Sequence, residues 1–131
     1  MTQTFTLLLL EDEPLIMLDL EYAAEDRGCI VLSCASCDDA LVHIEAGTQI
    51  DAAVLDVSLG DGQTCFPVAQ KLAQLKIPYI LHSGDLDRHN ERIRDIDAQL
   101  VAKPASAESV ISHAIAHAKG RDNGNKQIAA E

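Results

Sequence analysis

The chain has 131 residues, enough for one domain that buries roughly two-thirds of its unfolded surface. Hydrophobic residues make up 47% and charged residues 24%, an ordinary globular balance, and with aromatics at only 3% the core must be aliphatic. The formal net charge of −11, from 21 acids against 10 bases, repels phosphate backbones and anionic lipid, so no nucleic acid and no membrane partner is expected.

The opening MTQTFTLLLLEDE lacks a basic lead-in and runs straight into acids, so it does not read as a signal peptide. No stretch approaches the ~20 apolar residues that cross a bilayer. A cytoplasmic protein with reduced thiols is the expectation.

Short apolar runs then alternate with helical patterns. Phe5–Leu10 reads as a buried strand. Glu13-Pro14 opens a helix that Gly28 should stop, because proline suits an early helical position and glycine a helix end. A second strand is read at Cys29–Ser33, and a helix follows with Asp38 and Asp39 near its start and Gly47 at its close. The third strand is Ala52–Leu55, and a helix from about Pro67 to Lys76 ends before Pro78. Tyr79–His82 is the fourth strand. The charged stretch from Gly84 to Ala98 offers only Leu86, Ile93 and Ile96 as anchors, so a short or loosely packed helix is expected there. Gln99–Ala102 is the fifth strand. A last helix, starting near Ala105–Ser109, sets Val110, Ile111, Ala114, Ile115 and Ala118 on one face. The domain is expected to span 1–118, with a disordered tail over 119–131.

Strands alternating with helices predict an α/β fold: a five-stranded doubly wound parallel sheet, flavodoxin-like, order 2-1-3-4-5, with helices on both faces. Ligands of such sheets sit at the carboxyl ends of the strands. Four of the apolar runs lead into polar residues there: Glu11 and Asp12, Asp56, Ser83, and Lys103. One such residue alone ordinarily caps a helix or makes a turn. Together they converge on one rim. Clustered carboxylates repel unless a cation neutralises them, and a few oxygen ligands suit Mg2+, which keeps several waters. With Lys103 as a second positive charge and Ser83 as a hydroxyl donor, the set is what an aspartyl phosphate at Asp56 requires.

The motifs LLLLEDEP, AAVLDVSLGDG, YILHSG and LVAKP resemble those of the receiver domain of bacterial two-component response regulators, over roughly residues 5–118. LDVSLGDG is similar to single-domain receivers in particular. The resemblance implies that Asp56 accepts phosphate from a histidine kinase or histidine phosphotransferase. It implies that Glu11, Asp12, Asp56 and the backbone carbonyl of Ser58 hold Mg2+, while Ser83 and Lys103 bond the phosphoryl group. Signalling would be by partner binding or phosphate relay, without free-standing enzyme activity. The last strand, the segment before it and the last helix would be the readout face. The pattern departs at Leu100, where many receivers carry Tyr or Phe, so the usual ring switch is missing. Asp85 and Ser58 are expected to flank the phosphoryl group.

Other signals read more plainly as structure. Cys34-Ala-Ser-Cys37 is a CxxC, but no second close-spaced pair completes a zinc site. His113 and His117 stand one turn apart, facing away from the apolar stripe, and His82 reads as a covered core histidine. Two other functions remain: a phosphorylation-independent interaction module, and a phosphohydrolase using Asp56. The latter class usually has a second acid two residues after the nucleophile, where this chain has Ser58.

Overall fold

The computed structural model describes residues 4–60, 62–83, 99–102 and 106–122. Five strands, β1 (Thr6–Leu10), β2 (Ile30–Cys34), β3 (Ala52–Asp56), β4 (Tyr79–Ser83) and β5 (Gln99–Ala102), form one parallel sheet in the order β2-β1-β3-β4-β5. The described helices are α1 (Pro14–Asp26), α2 (Cys37–Glu45), α3 (Phe66–Gln74) and α4 (Ala107–Asp122).

Strand alternation divides the core into two layers. Leu8, Leu10, Ala53, Leu55 and Leu81 pack with Ala40 and Ile44 of α2 and Val68, Ala69 and Leu72 of α3. On the other face Leu7, Leu9, Ala52, Val54 and Ile80 pack with Leu20, Ala23 and Ala24 of α1 and the apolar stripe of α4. All five residues expected on that stripe are buried. Both faces of β1 and β3 are covered, which is why their sequences are unbroken apolar runs rather than alternations. The edge strand β2 is only partly covered, and Ile30 is half exposed.

Local signals act as their chemistry predicts. Pro14 is the first residue of α1. The Ser36 hydroxyl caps α2 by accepting from the Asp39 N–H at 3.2 Å. Ser106 Oγ accepts from the Ser109 N–H at 3.1 Å, fixing the start of α4.

Three expectations need correction. Cys29 lies before β2 rather than in it, because its N–H closes the end of α1 on the Ala24 carbonyl at 3.1 Å. Asp56 and Ser83 are the last residues of β3 and β4, since ladder pairing continues through them to His82 and Ala102. The last helix runs to Asp122, past the boundary expected at 118. The loose helix expected between Gly84 and Ala98, and the end of the tail, lie outside the described residues. No described helix is long and apolar enough to cross a membrane.

Candidate functional site

The strand order reverses at β1 and β3: the chain leaves β1 toward β2 on one side and returns to β3 on the other. The crevice at their carboxyl ends is where such sheets bind ligands. The register that pairs Leu10 with Leu55 sets Glu11 and Asp56 side by side at that end. Alternation puts both on the layer of Leu9 and Val54, beneath α1 and α4. Asp12 follows in the turn into α1.

Carboxylate oxygens of Glu11, Asp12 and Asp56 all lie within 4.8 Å of one another. Among the described residues they are the one such cluster of acids, histidines or cysteines able to hold a metal ion. Glu11 and Asp56 are each only 2% exposed, while Asp12 is not buried. Glu11 Oε2 accepts from the Glu13 N–H at 3.1 Å, which fixes that carboxylate at the start of α1. Two ionised carboxylates at 4.8 Å repel by about 3 kcal/mol at an effective dielectric of about 20. A small hard cation relieves that repulsion, so this all-oxygen donor set fits one.

The loop after β3 completes the crevice. Ser58 and Thr64 form an isolated antiparallel bridge. Leu59 N–H donates to the Gln63 carbonyl at 2.9 Å, Gln63 N–H to the Gly60 carbonyl at 2.9 Å, and Cys65 N–H to the Val57 carbonyl at 3.1 Å. Gly60 sits at φ +79°, and a Cβ there would meet Asp12 Oδ2 at 3.1 Å. The loop thus closes against the acidic cluster with its backbone. The sequence and its resemblance point to the carboxylates and Ser58 but not to this contact, because the Gly-Asp-Gly of the loop signals a turn without naming Asp12 as its neighbour.

The other expected residues are placed unevenly. Ser83 ends β4 beside Ala102 of β5, at the same carboxyl edge of the sheet, and Leu100 pairs with Leu81. Lys103 and Asp85 lie outside the described residues. His82 is buried and its carbonyl accepts from Val57 N–H at 3.3 Å, as befits a core position. His113 is exposed and His117 half-buried on α4.

The CxxC does not form a thiolate pair. Cys34 Sγ is directed to the Leu32 carbonyl at 3.8 Å and Cys37 Sγ to the Thr64 carbonyl at 3.1 Å. Burial, with Asp39 nearby, pushes the Cys34 thiol up to about 11. Burial, with Asp38, also raises Cys37. Both stay protonated at neutral pH, against the thiolate that redox or zinc chemistry needs.

Comparison with known proteins agrees with this geometry. The fold matches a response regulator receiver protein from Sinorhizobium medicae with a TM-score of 0.79 at 22% identity, over 91% of this chain and 98% of that one. SdrG from Sphingomonas melonis is 33% identical, with a TM-score of 0.73, over 91% of this chain and 99% of SdrG. The phyllosphere-induced regulator PhyR of Methylorubrum extorquens is 32% identical over 114 residues, 83% of this chain. The chain belongs to the receiver-domain family of response regulators. This receiver domain spans 43% of the length of PhyR. No protein-family model matches the chain.

Proposed function

We propose that this receiver domain is a phosphoacceptor of a two-component phosphorelay, taking a phosphoryl group from a phosphohistidine donor onto Asp56. The observation that supports it most is the placement of Asp56, buried at the end of the central strand with Glu11 and Asp12 carboxylates within 4.8 Å. Glu11, Asp12, Asp56 and the backbone carbonyl of Ser58 would hold Mg2+. When bound, Mg2+ supplies charge neutralisation for the incoming phosphoryl oxygens.

The chain's own groups do the rest. Asp56 Oδ attacks phosphorus in line with the leaving imidazole nitrogen; the P–N bond breaks as the P–O bond forms, and histidine is released. Burial of Asp56 at the end of the central strand limits competing water. Ser83 would donate its hydroxyl to one phosphoryl oxygen and Lys103 would pair with another. The product carries about two negative charges, and the rim loops respond to that new charge.

Signalling is by partner binding or by passing the phosphate on, not by turnover of a free substrate. The outer side of α1 offers Leu15, Leu18 and Tyr22, exposed by 76%, 41% and 62%, one or two turns apart along the helix that leads away from the crevice. Exposed apolar stripes of this kind mark contact surfaces, and this one supports docking of the phosphate donor.

Fluorine NMR of the chain with beryllofluoride tests the reading. Mg2+-dependent bound fluorine resonances are expected, and they vanish in Asp56→Asn. Their absence from wild type in saturating Mg2+ favours the phosphorylation-independent module instead.

A further inference from the structure

Resting on the phosphoacceptor reading, we infer that Cys37 is a positioning residue for the metal-binding loop: its thiol clamps Thr64, and through Thr64 the Ser58 backbone, to the start of α2. The loop from Val57 to Cys65 is folded back on itself by the Ser58–Thr64 bridge and by the hydrogen bonds of Leu59, Gln63 and Cys65. That unit has two edges. On one, Gly60 meets the Asp12 carboxylate. On the other, the Cys37 Sγ–H donates to the Thr64 carbonyl at 3.1 Å, across 27 residues of sequence.

The bond's acceptor is well placed to matter. Thr64 bridges Ser58, and its hydroxyl also accepts from the Phe66 N–H at 3.4 Å at the entry to α3. A shift of Thr64 therefore moves both the Ser58 backbone and the first turn of α3. Cys37 in turn is held, because it is the first residue of a helix whose Ser36 cap is formed. Its protonated state follows from burial and from Asp38, so it stays a donor at neutral pH. The CxxC spacing thus has a use unrelated to redox or zinc: Cys34 fills the core at the end of β2 while Cys37 reaches the loop.

The test measures Mg2+ affinity by calorimetry, with melting temperature beside it, for wild type, Cys37→Ala and Cys37→Ser. A weak S–H donor predicts a loss of about two- to tenfold in affinity for Cys37→Ala, and recovery in Cys37→Ser, which keeps a donor. A general structural role would lower the melting temperature of both variants without this split in affinity. Equal Mg2+ affinity in wild type and Cys37→Ala overturns the inference, as does a folded Cys37→Ser that fails to recover. No Mg2+ binding in wild type overturns the phosphoacceptor reading itself, and is read separately from the variants.

Discussion

A side-chain carbon at Gly60 would stand 3.1 Å from Asp12 Oδ2, so the loop after β3 and the acid after β1 are fitted to each other at the backbone. Few real Cβ contacts are that tight, and Gly60 also holds φ +79°, a left-handed conformation that side chains disfavour. Gly62 has a similar φ of +74° with open space around its missing Cβ. The pair is a built-in control.

Gly60→Ala and Gly62→Ala should each cost about 1 kcal/mol through backbone strain, lowering the melting temperature by a few degrees. Only Gly60→Ala should also weaken Mg2+ binding, because its methyl displaces the Asp12 carboxylate. Thermal melts and calorimetric titration of both variants check this; equal Mg2+ affinities would show that the close approach is incidental.

Asp56→Asn should stabilise the metal-free protein. Removing one of two buried carboxylates relieves repulsion of about 3 kcal/mol, offset by an amide that must find its own hydrogen bonds. In EDTA the variant is expected to melt above wild type; in millimolar Mg2+ wild type gains stability by mass action and the order narrows or reverses. Melting curves in the two buffers decide it.

Stability should fall as pH rises from about 9 toward about 11. Cys34 is held neutral in the folded state to about 11 against an ordinary value of 9.0, so between those limits the unfolded chain binds fewer protons than the folded one. The sign of the slope is therefore negative: this contribution is fully present below pH 9 and lost through the folded value. Cys29 and Cys37, also raised, add to the same limb. Cys34→Ala should flatten it, as urea melts at pH 8, 9 and 10 would show.

The parts legible in the sequence were those written locally. Leu7–Leu10 and Ala52–Leu55 announce doubly covered strands, and the acids that follow them announce the crevice, because chain direction in a parallel sheet brings all strand ends to one rim. The α4 stripe was legible from its helical spacing alone. Tertiary fits were not. Nothing near Gly60 names Asp12 as its neighbour, and nothing near Cys37 names Thr64. Cys29 reads as the start of a strand because it leads into the apolar run, but the helix end before it takes it, through its N–H bond to the Ala24 carbonyl.

The central claim is that Asp56 accepts phosphate. Intact-mass spectrometry of the wild-type chain after incubation with acetyl phosphate and Mg2+ tests it most directly. One added phosphoryl group is predicted, mapped to Asp56, lost in EDTA and absent from Asp56→Asn. A wild-type chain that binds Mg2+ yet gains no phosphoryl group, or an Asp56→Asn chain that gains one as readily, would contradict it.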